Sequence, residues 1–425
     1  MSFKTTESRP LLLLVPHYIG SFRYFEKIAP VLREKYDIKI LILFDKAEFY
    51  EELISYAKNK GFDYIAMKPP RHKTGAFFFD FGLGLVQAKR EVKRILKTEG
   101  IRKIVCVNDN SIHLRYLFAE AQKMNIDTLT IQWALTYPGQ RTRPKKKTTR
   151  MRRIMYRLGK PVVIYAKHAL TSLVLGSKFN REKGPIGAGA SERLGVINVQ
   201  AQEYFIREGI PREKITVVGN PDFSLAEDTK KILDTDEKAR AATARALGVD
   251  LSKRQIVIFS SPFNSKDVSM LSDREQYQYM ERIVKTIRMY CGKDAYQILF
   301  KIHPSESLDL YWGLESYGVT LFGKDTDNFN LIYFADLYIA HGSTTNFIPI
   351  IMKKQAIFIN LFKLVSVEGS REFFGIKKFV HEWDEMDKAI REYSNEALPL
   401  QYENKPEIFT SNSMQKIVQW IDADS

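Results

Sequence analysis

Short apolar runs alternate with amphipathic stretches along most of this chain, and that alternation restricts the fold more than any other feature. RPLLLLVPH (9–17), IKILILF (38–44), DYIAM (63–67), RKIVCV (102–107) and DTLTIQW (127–133) have the length and apolar continuity of strands covered on both faces. Between them, apolar residues fall at helical spacing in Phe22–Lys35, in AEFYEELISYAKNKG (47–61), from Val86 to Glu99 and in HLRYLFAEAQKMN (113–125). LGVINV (194–199), QAQEYFIREG (200–209) and KITVVGNP (214–221) continue the series. Strands alternating with helices build a doubly wound parallel α/β sheet.

The polar stretch SLAEDTKKILDTDEKARAATARALG (224–248) interrupts the strands. RQIVIFSSPF (254–263), YQILFKIH (296–303), VTLF (319–322), DLYIAH (336–341) and QAIFIN (355–360) then resume them, with helical segments between. A chain of 425 residues exceeds one ordinary core. The sequence predicts an N-terminal Rossmann-like domain over 1–222 and a C-terminal one over 250–395, facing each other across a cleft. In the remaining segment, 396–425, SNSMQKIVQWIDA forms a helix with Met414, Ile417, Val418 and Ile421 on one side. That helix is expected to pack back on the first domain.

In open parallel sheets, ligands bind beyond the carboxyl ends of the strands. His17, Asn108–Asn110, Asn220, Ser260–Ser261, His303 and His341–Thr345 all fall at such ends. The order VVGNP, KIHP, HGSTT at successive strand ends resembles the GT-B superfamily of nucleotide-sugar enzymes. Within it, a His-Pro pair followed by a serine-threonine cluster is similar to transferases with CDP- or CMP-activated donors. These are the CDP-glycerol glycerophosphotransferases and the polysialyl- and Kdo-transferases. VINVQAQEYFIREGIPREKITVVGNPDF (196–223) also resembles the UDP-N-acetylglucosamine 2-epimerases. Many UDP-sugar members carry a ribose-binding glutamate just after the serine-threonine cluster. Here Phe347, Ile348 and Pro349 stand in its place, which tilts the resemblance toward cytidine donors.

The resemblance implies a donor site in the C-terminal domain and an acceptor site in the N-terminal one. Negative charge grows on the leaving phosphate as the glycosidic bond breaks. Ser343, Thr344 and Thr345 before a helix offer hydroxyl and N–H donors for it, though the same residues make an ordinary helix cap. His303 can donate a hydrogen bond or a proton near neutral pH, with Lys301 two residues earlier on the same face of the strand. Equally, a histidine at a strand end can be only a capping residue. Ser261 and Asn220 are further donor-side candidates, Asn220-Pro221 reading equally well as a turn. The acceptor's base is sought at His17 in VPHYIGS or Asp109 in VNDNS, where Asp109 alternatively caps the helix after it. No metal motif and no cofactor is expected.

The net charge of +15 points to an anionic partner. It concentrates in 141–181, where thirteen Lys and Arg residues occur without an Asp or Glu. Lys145, Lys146, Lys147, Arg150, Arg152 and Arg153 form its densest part, followed by Ile154, Met155 and Leu158. Basic residues beside apolar ones suit an anionic membrane surface, a solvated loop being the alternative. Tyr156 and Tyr165 are the only aromatics in the central part of this segment, too few for a base-stacking surface, so nucleic acid is not an expected partner. Two cysteines build no disulfide framework, the opening segment does not read as a signal peptide, and no window is apolar enough to span a bilayer. The expectation is a cytoplasmic enzyme, peripheral to the inner face of the cell membrane. It would move a sugar or polyol phosphate from a CMP-, CDP- or UDP-linked donor to a polysaccharide or lipid-linked acceptor; the alternatives are a UDP-N-acetylglucosamine 2-epimerase-like enzyme and a non-catalytic basic protein that binds nucleotides or nucleic acid.

Overall fold

The computed structural model describes residues 9–44, 47–69, 77–98, 100–134, 163–180, 185–265, 270–403 and 408–423. The described residues of Met1–Trp133, Lys147–Pro221 and Asn412–Ser425 form one compact unit, and those of Asp222–Ser411 form another.

In the first unit, strands β1 (Leu11–Val15), β2 (Asp37–Ile42), β3 (Tyr64–Ala66), β4 (Ile101–Cys106), β5 (Asp127–Ile131), β6 (Arg193–Val196) and β7 (Ile215–Val217) form a parallel sheet in the order β3-β2-β1-β4-β5-β6-β7. The connecting helices are α1 (Ile19–Leu32), α2 (Ala47–Asn59), α3 (Phe77–Ile95), α4 (Ile112–Gln122), α5 (163–174) and α6 (Val199–Arg207). β1 carries four leucines and a valine, all buried, because helices cover both sheet faces. α3 begins nine residues before the predicted Val86. Its first turns are glycine-containing and polar at Asp80, which hides the period, while Leu85, Ala88 and Val92 bury one side.

In the second unit, β8 (Arg254–Phe259), β9 (Tyr296–Lys301), β10 (Val319–Phe322), β11 (Leu337–His341) and β12 (Gln355–Ile359) form a parallel sheet in the order β10-β9-β8-β11-β12. Its helices are α7 (Pro221–Thr235), α8 (Glu237–Ala246), α9 (Asp273–Tyr290), α10 (Asn328–Tyr333), α11 (Phe347–Ile351), α12 (Val365–Phe374) and α13 (Trp383–Ser394). The polar stretch 224–248 is thus two helices of this unit, separated at Asp236, whose carboxylate caps α8 by accepting from the Ala239 N–H at 2.9 Å. The second unit therefore extends beyond 250–395 at both ends.

The last helix, α14 (Ser413–Asp422), returns to the first unit and places Ile417, Val418, Trp420 and Ile421 in its core. Cations hold its C-terminal end, where backbone carbonyls lack helical partners. Buried Lys103 donates to the Ala423 carbonyl and pairs with Asp127 at 2.6 Å, and Arg193 donates to the carbonyls of Trp420 and Ala423.

Candidate functional site

Each sheet reverses its strand order once, between β1 and β4 in the first and between β8 and β11 in the second. Strand ends diverge at such a reversal and leave room for a ligand. At the second reversal Ser260 and Ser261 follow β8, His341 ends β11 with Gly342–Thr345 after it, and His303 follows the neighbouring β9. Three of the sequence motifs thus converge on adjacent strand ends.

The loop after β9 is held by a polar cluster that sequence reading did not identify. Glu306 accepts from Ser260 Oγ, from the His303 N–H at 3.0 Å, from Tyr311 O–H at 2.6 Å and from Gln276 Nε2 at 3.1 Å. The His303 N–H also donates to Ser260 Oγ at 2.8 Å. Tyr311 and Gln276 are fully buried, so the carboxylate fastens the KIHPSE turn to the body of the unit. The one local signal was an acid three residues after the histidine.

His303 is set by this turn. Its Nδ1 accepts the Ser305 N–H at 3.2 Å and lies 2.8 Å from Ser305 Oγ. An atom that accepts from a backbone amide carries no proton, so the neutral ring bears its hydrogen on Nε2. Burial, with the Lys301 charge adding to it, pushes the pKa of His303 down to about 4. The expectation of an imidazole titrating near neutrality is corrected: His303 is a neutral Nε2–H donor at physiological pH. Lys301 is buried and turns its ammonium to the carbonyls of Gly323 and Lys324 at 3.2 and 3.3 Å.

His341 ends β11 with its ring buried against Phe263, centroids 4.8 Å apart at 83°, and Nε2 lies 2.5 Å from Tyr279 O–H. Burial holds its pKa down to about 3, so this ring is neutral too. The turn after it is shaped by Gly342, where an added Cβ would lie 2.6 Å from both γ-methyls of Val367. Gly342→Ala is therefore expected to displace the serine-threonine turn or α12 and to cost about 1–3 kcal/mol, read from the urea midpoint. Ser343 caps the turn Thr344–Asn346, its Oγ accepting from the Thr345 N–H at 3.2 Å and from Thr345 Oγ1 at 2.9 Å. Of Thr344 only the backbone is described. The following α11 is five residues long, so any anion here would be held by local N–H and hydroxyl groups rather than by a large helix dipole. Ser261 is half-buried, and its carbonyl accepts from Gln276.

At the first sheet's reversal, His17 Nε2 donates to the Asn108 carbonyl at 2.8 Å, joining the ends of β1 and β4. In the neutral ring Nδ1 is then the basic nitrogen. Asp109 is fully buried and accepts from the N–H groups of Gly187 and Gly189 at 2.8 and 2.9 Å and from Ser191 Oγ at 3.0 Å. These donors enclose the Asp109 carboxylate, and the expected cap is corrected: α4 is preceded by Ser111 instead. Asn220 Nδ2 donates to the Trp133 carbonyl at 3.3 Å, immediately before α7. Lys145, Lys146, Lys147, Arg150, Arg152 and Arg153 lie outside the described residues. Among the described residues no cluster of three or more His, Cys, Asp or Glu is placed to hold a metal ion, and no helix is long and apolar enough to cross a membrane.

No protein-family model matches the sequence, and no curated protein matches it significantly. Solved structures do resemble the fold. The UDP-GlcNAc 2-epimerase of Neisseria meningitidis, solved with UDP-GlcNAc bound, superposes with a TM-score of 0.56 at 11% identity over 96% of this chain and 98% of that one. The UDP-GlcNAc 2-epimerase of Methanocaldococcus jannaschii gives 0.53 at 16% identity over 97% and 99%. The glycosyltransferase of kitacinnamycin gives 0.52 at 10% identity over 97% of each chain. Two Rossmann-like α/β units with these neighbours make this a GT-B fold.

Proposed function

We propose that this protein is a glycosyltransferase that takes a sugar or polyol phosphate from a nucleotide-activated donor and passes it to a polysaccharide or lipid-linked acceptor. The observation that carries this reading is the convergence at the second sheet's reversal. There the protonated Nε2 of neutral His303, the hydroxyl of Ser261 and the Ser343–Thr345 turn share adjacent strand ends. Donors fixed before reaction stabilise charge that develops on a leaving phosphate without reorganising. His303 serves this as a hydrogen-bond donor, and Ser343 and Thr345 add hydroxyls and backbone N–H groups. On the acceptor side, His17 is the base. The donor is cytidine-linked in this reading, because Phe347, Ile348 and Pro349 are buried core residues where a ribose carboxylate would stand.

A thermal-shift panel of CMP, CDP, UMP, UDP and GDP tests the reading. A ligand at a hundredfold its Kd stabilises the folded state by about 2.7 kcal/mol, and the largest shift is expected from CMP or CDP. A larger shift from UDP would reassign the base, and no shift from any nucleotide would remove the reading. Conversion of UDP-GlcNAc in the absence of acceptor would make the protein an epimerase instead. Turnover is expected to survive EDTA, since protein donors are proposed to meet the leaving charge. Loss on chelation with recovery on added Mg²⁺ or Mn²⁺ would overturn that part.

The acceptor is met at an anionic membrane surface, on the inner face of the cell membrane. The acid-free cationic run with Lys145, Lys146, Lys147, Arg150, Arg152 and Arg153 supports this.

A further inference from the structure

Backbone pairing between β8 and β9 stops just short of the residues assigned to the donor. Phe259 pairs with Lys301, and the Ser260 N–H donates to the Lys301 carbonyl at 3.0 Å. Past that bond, among the described residues, side chains join the two segments, and Glu306 carries the joint. Its Oε2 accepts the His303 N–H at 3.0 Å and the Ser260 hydroxyl, while Ser260 Oγ accepts the same N–H at 2.8 Å. Its Oε1 accepts from Tyr311 O–H at 2.6 Å and from Gln276 Nε2 at 3.1 Å. Gln276 Nε2 also donates to the Ser261 carbonyl at 2.9 Å, so one amide on α9 reaches both strand ends. The Glu306 N–H closes the turn on the His303 carbonyl at 2.9 Å.

A carboxylate set among buried partners is a poor source of stability, because its lost hydration offsets much of what its hydrogen bonds contribute. Four converging donors do give it direction. Two pin each oxygen, and the carboxylate in turn pins the His303 amide. The ring follows the backbone, because Nδ1 meets the Ser305 N–H inside this closed turn. A donor to developing charge has to be held within about half an ångström of its productive place. We infer that Glu306 is a positioning residue, which holds His303 where its Nε2–H reaches the leaving phosphate. The inference rests on the transferase reading above and adds to it the group that makes the histidine effective. Gln276 and Tyr311 orient Glu306 in turn.

Glu306→Gln in the full chain is the test. The amide keeps the size of the side chain but has one acceptor oxygen, so its NH₂ faces donors on one side and that side opens. The probe is the nucleotide with the largest thermal shift, expected to be CMP or CDP, since its phosphate is the leaving group. In ¹⁵N-histidine-labelled wild type, the nucleotide is expected to move the Nε2–H signal of His303, identified as the one missing from His303→Ala. In Glu306→Gln that movement should be lost and affinity should fall about tenfold or more. In the His303→Ala background the same substitution should cost less than about threefold, because the two residues act as one unit. Ser260→Ala, which removes one of the two acceptors of the His303 N–H, is expected to give the same pattern more weakly and decides the matter should Glu306→Gln not fold. Wild-type affinity and a wild-type His303 signal in Glu306→Gln overturn the positioning and leave the enzyme standing. Equal losses in both backgrounds make Glu306 a structural residue only and overturn it too. Binding of no nucleotide removes the transferase reading and this inference with it.

Discussion

His303→Ala is expected to lower kcat for a nucleotide-activated donor by about a hundred- to a thousandfold, the usual cost of deleting one donor to a developing oxyanion. The fold should survive, because Glu306 and Ser260 hold the turn through the His303 backbone N–H and not through its ring. His303→Gln, which restores a neutral N–H donor, is expected to recover part of the loss. The pH profile separates this role from acid catalysis. With the pKa of His303 held near 4, the proton on Nε2 is present throughout the range above it. The ring gains a second proton only as pH falls through about 4, so His303 should impose no limb on kcat between about pH 5.5 and 8. A limb near pH 6.5 that vanishes in His303→Ala would show a titrating acid, and wild-type turnover in His303→Ala would remove the residue from the site.

Asp109→Ala is expected to destabilise the first unit by about 3–5 kcal/mol, enough to lower expression as folded protein. The substitution strips acceptors from the N–H groups of Gly187 and Gly189 and from Ser191 Oγ, of which Gly187 and Ser191 are buried. It also empties space that the 187–191 loop is built around. That loop approaches so closely that a Cβ at Gly189 would lie 2.3 Å from the Asp109 carbonyl oxygen. Asp109→Asn should cost less but still about 2 kcal/mol, because an amide offers one acceptor oxygen and turns its NH₂ toward other donors. Urea unfolding followed by tryptophan fluorescence reads both. A wild-type midpoint in Asp109→Ala together with lost turnover would return Asp109 to the chemistry.

Sequence alone determined the strand–helix alternation, the parallel sheets in two series and the strand ends that carry His17, His303 and His341. These rest on local periodicity and on chain direction, and both are written in neighbouring residues. The alternation was misread where local signals conflict. Polar residues in 224–248 hid two solvated helices, and Asp80 with two glycines hid the start of α3. Tertiary structure decided what each strand-end residue does. Asp109 meets its donors about eighty residues away, Ser260 and Gln276 meet Glu306 from other elements, and Tyr279 on α9 meets His341 at the end of β11. Protonation follows the same division. The formula of histidine fixes its ordinary pKa, but burial and the Ser305 amide choose the charge and the tautomer of His303. Hydrogen bonds and desolvation act over a few ångströms of space, and only the folded chain brings distant residues that close.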